Sequence, residues 1–406
     1  VAPKPLPEIS RAEAEFIRKK NRIKEYLTQE GGMDFLARTG DGDKWEHVGD
    51  DGSVKRVYRP LRGVLAGEEV CLRKNISDDV ILPMQSAAEL RRETKFLQTV
   101  KNPYFVRVYA HAPLDTEDSQ GTGRYKVDNH WELVDFVDGV LVNRVVDREW
   151  GAAVWPETLT PATRLRVLLA ACECEHEATN LNPPVYLTDL KTGAFIVHPD
   201  GAVKMVDVQT HDKASEYSTE TIVKELARLC LGLFQAPEKY YPDSTIEEAV
   251  RGYLNPEWDK ENRRWDSASN PRPDLYEILK ESELPGNVQV ELRIFLDRVK
   301  SGGLKFNQAP MDLARRILPI AQRLEREESA VRAEKLAAEK RQEARRRITE
   351  RDADDRSVVA AEVVQTKAAE VFSVEETSVI SAMEVVDGLE KTSGILDREK
   401  LKESFL

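Results

Sequence analysis

Residues 185–210, VYLTDLKTGAFIVHPDGAVKMVDVQT, constrain the fold of this chain more than any other stretch. Two apolar runs each end in an aspartate, Asp189 and Asp207, and HPDG stands between them. Pro-Asp-Gly between apolar runs specifies a tight turn: proline presets φ, aspartate bonds its own backbone and glycine accepts positive φ. Pairing of Phe195–Val197 with Val203–Val206 across that turn would bring both carboxylates to one cleft edge. The bland alternative is that each aspartate merely terminates a strand.

The chain has 406 residues, room for one large or two ordinary domains. Hydrophobic residues make up 41% and charged residues 33%, which supports a real core alongside strongly solvated segments. The net charge of −12 argues against a nucleic-acid partner, because duplex binding needs a basic face that releases counterions. The one basic run, Arg341 to Arg347, is interspersed with glutamate and reads as a solvated helix. No apolar stretch approaches the roughly 18 residues of a membrane span. The sequence starts at Val1, and VAPKPLPE suits a mature N-terminus left by a cleaved targeting peptide. The expectation is a soluble intracellular protein, with a mitochondrion or chloroplast as candidate organelles. Cys71, Cys172, Cys174 and Cys230 are too sparse for a disulfide scaffold. Cys172, Cys174 and His176 form a CxCxH cluster, but side chains two apart on a helix point to different faces. They read as small buried residues rather than a metal cage.

Ser10 and Glu13 have capping-box spacing, and Phe16, Ile23, Tyr26 and Leu27 follow at helical intervals. They predict an amphipathic helix over 10–30 that packs on the main domain. Over 41–74 the period changes: VKRVYRPL and EEVCLRKN read as strands around a turn at Ala66–Gly67. Ser86 and Glu89 open a second helix that carries Leu90, Glu93 and Leu97 on one face. YFVRVYAHA (104–112) and HWELVDFVDG (130–139) are strands on either side of a polar loop at 114–129. From about 140 onward the pattern is helical at 162–179, 219–235, 287–300 and 309–326. The hairpin 185–208 interrupts it, and 236–285, with many Pro, Asn and Trp positions, is expected to be loop-rich. Residues 325–350 predict a long exposed helix of i,i+4 charge pairs. In the tail, Ser373 and Glu376 cap a weak apolar patch at Val379, Met383 and Val386, which docks on a partner or stays mobile. The expected architecture is two-lobed α+β. It comprises an N-terminal helical extension (1–40), a β-rich lobe (41–134), a connector (135–139), a helical lobe (140–325) and a charged helix with tail (326–406).

Several strings resemble the protein kinase-like family over about 45–325. VYLTDLKTGAF is similar to the catalytic loop HRDLKxxN, with Asp189 at the base position and Lys191 two residues on. VKMVDVQT is similar to the strand ending in DFG, with Asp207 at the metal-binding position. The resemblance implies ATP and Mg²⁺ as cofactors, because phosphoryl transfer needs a carboxylate near the attacking hydroxyl and oxygen ligands on the metal. EEVCLRKN resembles the strand carrying VAIK, with Cys71 over the nucleotide base and Arg73 at the lysine position. ELRRETKFLQTVKNPYFVRVYA resembles the helix with the partner glutamate, here Glu93. LVDFVDG resembles the hinge, where Asp135 to Val137 would offer backbone groups to an adenine edge. RLRVLLAACECEHEATNLNPP resembles the helix that leads into the catalytic loop.

The departures carry equal weight. In GDDGSVKRVYR only Gly52 falls on a position of the glycine-rich loop; Asp50 and Lys55 stand where two other glycines belong. Arg73 replaces lysine, and its planar fork is not interchangeable with an ammonium. Leu187 and Thr188 replace His-Arg, Ala194 replaces the second metal-binding Asn, and Val208 and Gln209 replace Phe-Gly. Only about a dozen residues separate Asp207 from the helix near Thr219, with no APE-like string. These losses favour a pseudokinase, needing no cofactor, that scaffolds protein partners through its C-terminal helix and tail. A divergent active kinase acting on an atypical protein or small-molecule hydroxyl is the second reading, and an unrelated α+β binding protein the third.

Overall fold

The structure is a computed structural model. It describes residues 11–29, 45–51, 55–61, 64–75, 81–111, 124–126, 131–143, 145–146, 153–211, 219–236, 241–256, 273–305 and 307–372. The chain divides into two units, Val1–Arg326 and Glu327–Leu406. The first opens with α1 (Arg11–Gln29). Strands β1 (Trp45–Asp51) and β2 (Lys55–Pro60), the single turn α2 (Val64–Gly67) and β3 (Val70–Asn75) follow. A short ribbon strand β4 (Ile81–Pro83) leads into helix α3 (Met84–Thr99). Beyond it lie β5 (Val108–His111), β6 (Arg124–Lys126) and β7 (Trp131–Asp135). The sheet is antiparallel in the order β1–β2–β3–β7–β5, and β4 pairs with β6 apart from it.

Strand period explains the two faces of this sheet. Tyr58 pairs with Leu72, and Leu72 with Leu133, so these three share one face. α1 covers that face: Ile23 and Leu27 are buried in one cluster with Trp45, Tyr58, Leu72, Trp131 and Leu133. Each such aliphatic side chain contributes about 1.5–3 kcal/mol when buried, which is why the amphipathic stripe of α1 docks here. A bidentate pair, Arg22 Nε and Nη2 to Glu68 at 2.6 and 2.8 Å, pins its polar side. Val57 pairs with Arg73, and Arg73 with Glu132, which places a charged pair on the opposite face. Tyr58 therefore belongs to the outer core and does not enter the cleft.

The connector 136–139 leads to β8 (Val140–Leu141), a ribbon of β9 (Val145–Val146) and β10 (Ala153–Val154), and then α4 (Pro161–Thr179). Thr160 caps α4 by accepting the Thr163 amide at 3.3 Å, and Pro161 stands at its start, where a missing N–H costs nothing. β11 (Tyr186–Thr188), a 3₁₀ turn at 192–194, β12 (Phe195–Val197), β13 (Val203–Met205) and β14 (Gln209–His211) follow. Helices α5 (Thr219–Leu233), α6 (Asp243–Leu254), α7 (Leu275–Glu281) and α8 (Gly286–Lys300) complete the helical lobe. The last helix, α9, is Ala309–Phe372. One hydrophobic core runs from Cys71 and Val134 of the sheet through α4 and α5 to Ile317. The architecture is the expected two-lobed α+β.

One expectation fails. The span 236–285 contains α6 and α7 as well as loop, and Ile246, Val250, Leu275, Ile278 and Leu279 are buried core. Two of the prolines that suggested loop sit ahead of helices: Pro242 is the N-cap of α6 and Pro285 that of α8. Asp274 and Glu277 form a reciprocal capping box that starts α7. All four cysteines are free and buried, and burial raises the Cys172 and Cys174 thiols and pushes Cys230 up to about 12.

In the second unit residues 327–372 are helical. Glu328–Arg332 at 3.7 Å and Glu343–Arg347 at 3.0 Å are the expected i,i+4 pairs, worth a few tenths of a kcal/mol each. The patch at Val379, Met383 and Val386 lies outside the described residues. Among the described residues, no helix is long and apolar enough to cross a membrane.

Candidate functional site

Two ladders close the site, one more than the turn alone suggests. Across HPDG, Phe195 pairs with Met205 and Val197 with Val203. Gly201 takes φ +88°, and Asp200 accepts the Ala202 amide at 2.8 Å, so the turn residues act in their expected roles. The second ladder joins β11 to β14, with Thr188 opposite Gln209. It sets the residue after β11, Asp189, beside the residues before β14, Asp207 and Val208. Asp189 itself has φ +56°, a left-handed conformation that aspartate tolerates better than most residues.

Lys191 occupies the space between the two carboxylates. Its Nζ donates to Asp189 Oδ2 at 2.8 Å and stands 3.1 Å from Asp207 Oδ2. Partial burial opposes the Lys191 charge, but the bond to Asp189 and the Asp207 carboxylate outweigh it, and its pKa rises. Asp189 also receives Gln209 Nε2 and Arg228 Nη2, each at 3.4 Å. Arg228, on α5, is bound to Glu225 at 2.6 Å and to Glu247 at 2.7 Å. Glu225 in turn accepts the Leu190 amide at 3.0 Å, fixing the loop backbone on α5. On the other side, Glu175 of α4 accepts the Leu187 amide at 3.2 Å. Complete burial raises the Glu175 pKa far above the carboxylate range, and the nearby Glu225 adds to the shift.

The lysine-position residue faces inward. Arg73 is 4% exposed; Nη1 donates to the Val206 carbonyl at 2.9 Å, and Nη2 reaches Glu132 at 2.7 Å and Glu93 at 3.4 Å. Glu132, 0% exposed, also accepts the Thr94 hydroxyl. The Arg73–Glu93 pair therefore exists, but it is the longer of two, and Glu132 is the nearer partner. Glu132, Glu225 and Arg228 were not singled out from sequence. The available signal was an ionisable residue inside an otherwise apolar strand or helix, which must be paired when buried.

At the connector, Cys71 is buried and its thiol lies 3.5 Å from the Asp135 carbonyl. The Asp135 side chain turns away from the cleft to accept the Arg107 amide at 2.9 Å and the Tyr109 hydroxyl at 2.5 Å. Val137 is half-buried against the main core. Gly52 lies outside the described residues; the β1–β2 hairpin that would carry it ends with Asp51 opposite Lys55. β14 ends at His211 and α5 starts at Thr219, so the segment that follows Asp207 is short, as expected.

This donor set fits Mg²⁺ and a triphosphate poorly as it stands. Asp189 and Asp207 offer hard oxygen ligands, but an ammonium already bridges them, and the Arg73 guanidinium is tied to two carboxylates and a carbonyl. Among the described residues, no group of three or more His, Cys, Asp or Glu is arranged to hold a metal ion.

No family model and no curated protein sequence matches the chain. Solved structures similar to it include the pseudokinase DRIK1 (drought responsive inactive kinase 1) bound to ENMD-2076. That structure is 12% identical, over 67% of this chain and 90% of that one, with a TM-score of 0.39. A second is the apo GRMZM2G135359 pseudokinase, 10% identical over 67% and 90%, with a TM-score of 0.38.

Proposed function

We propose that this chain is a pseudokinase: a kinase-like domain whose cleft is closed by its own ion pairs and which acts by binding partners rather than by phosphoryl transfer. The observation that carries the reading is Arg73, a cation at the phosphate-facing position held at 2.9, 2.7 and 3.4 Å by Val206, Glu132 and Glu93. Lys191 repeats the logic in the helical lobe, neutralising Asp189 and Asp207 with a tethered ammonium. A protein scaffold role suits the charged helix of residues 327–372, whose side chains are largely exposed along 331–347. The second reading, a divergent kinase, is favoured by one fact: Asp189, Lys191 and Asp207 do meet in one site.

Thermal unfolding with millimolar ATP and Mg²⁺ separates the two. A ligand at 100 times its Kd would add about 2.7 kcal/mol. No shift in the melting temperature supports the pseudokinase. A shift accompanied by ATP turnover that Asp207→Ala abolishes would establish the kinase instead.

A further inference from the structure

Behind the connector, on the side away from the cleft, α1 and the start of β5 line a cavity of about 440 Å³. Five of its nine lining residues are cationic and one, Glu15, is a carboxylate. Two of the cations are already answered. Arg22 forms its bidentate pair with Glu68, and Arg107 donates to the carbonyls of Val100 and Lys101 at 3.2 and 2.5 Å.

The other three hold weaker partners: Lys19 Nζ donates to the Glu69 carbonyl at 3.4 Å and Lys204 Nζ to the Phe105 carbonyl at 3.3 Å. Lys19 stands 3.5 Å from Asp135 Oδ1 and Lys204 3.9 Å from Asp135 Oδ2, so one carboxylate faces two ammoniums. Its oxygens also accept the Arg107 amide and the Tyr109 hydroxyl. Arg18 Nε donates to the Ala14 carbonyl of its own helix at 3.2 Å, and the side chain has no ion pair among the described residues. Burial lowers the Lys204 pKa despite Asp135, with Arg107 and Lys19 acting in the same direction. Positive charge is therefore in surplus within a partly dry space. Apolar surface adjoins it: the rings of Phe16 and Tyr109 lie 5.4 Å apart.

We propose that this cavity binds a small phosphorylated molecule, a phosphomonoester or diphosphate, through Arg18, Lys19 and Lys204, with its organic part against Phe16 and Tyr109. A monocarboxylate would answer one of the three cations, whereas a phosphate dianion answers two and has oxygens for all three. The volume falls within the roughly 300–1,000 Å³ of small-molecule sites. Occupancy would staple α1 to the lobe that carries the connector, so the ligand would reinforce the N-terminal helix from outside the cleft. This site does not depend on whether the cleft takes nucleotide.

The test uses the full chain and sodium pyrophosphate as probe, with NaCl balancing ionic strength and acetate as a monocarboxylate control. Thermal shift and titration calorimetry give the readouts. Pyrophosphate should raise the melting temperature of wild type and of Lys191→Met, acetate should not, and Arg18→Glu should weaken binding about tenfold or more. Lys204→Met should do the same; because its side chain is mostly buried and the variant could fail to fold, Arg18→Glu on the exposed helix face keeps the test decisive. The proposal is overturned if wild type shows no shift or if acetate matches pyrophosphate. It is equally overturned if Arg18→Glu retains the shift while Lys191→Met loses it, which would place the anion in the cleft.

Discussion

Arg73→Met isolates the interaction on which the closed-cleft reading rests. Methionine keeps the apolar stem and removes the guanidinium, so little volume is lost and the change is mainly electrostatic. Glu132, at 0% exposure, and Glu93, at 9%, then lose the guanidinium that both of them touch. Removing one partner of a buried pair costs about 3–5 kcal/mol, a large part of the 5–15 kcal/mol that typically holds a domain together. The Val206 carbonyl also loses its donor. Urea unfolding of wild type, Arg73→Met, Glu132→Gln and the double variant forms a cycle. Glu132→Gln leaves the guanidinium with a neutral acceptor, and in the double variant no buried charge opposes Glu93 at that position. The double variant should be at least about 1.5 kcal/mol more stable than the sum of the singles indicates. A loss under about 1 kcal/mol for Arg73→Met, or strict additivity, would refute the claim that this cation is committed to the fold.

Two further outcomes are expected. Glu175 keeps its proton in the folded chain above the pH at which the unfolded chain releases it, near 4.5, so its contribution is complete below that pH and lost as pH rises toward its folded value. Glu175→Gln should therefore gain stability relative to wild type between about pH 5 and pH 8, and an equal difference at both pH values would contradict the assignment. Gly139→Ala should lower stability by about 1–3 kcal/mol, because its Cβ would meet the Val197 carbonyl oxygen at 2.5 Å; an unchanged urea midpoint would show that the connector simply shifts.

Local chemistry made the centre of the site legible in the sequence. The HPDG turn, its flanking β-rich runs and the two aspartates are all read from short-range patterns, and the structure brings Asp189 and Asp207 to one ammonium. The β11–β14 ladder was not legible, because Gln209–His211 is three polar residues with no period to mark a strand. Arg73 could be placed from VCLRKN, but its orientation depends on Glu132, a strand away, and cross-strand register is not written locally. Arg228 and Glu225 sit in TETIVKELARLC, where an i,i+3 pair on an apolar helix is a usable but unspecific signal. Helices α6 and α7 were hidden by the prolines and asparagines around them, although Pro242 marks the start of α6 and Pro285 that of α8.

The Arg73–Val206 bond has a mechanical corollary. It spans from the third strand of the upper sheet to the peptide just before Asp207, so the two halves of the molecule are riveted at the back of the cleft. Separating them would take a donor from the Val206 carbonyl, while the guanidinium would keep Glu132 and Glu93 on its own side. The rivet is therefore a single hydrogen bond, one that can release without dismantling the buried ion cluster.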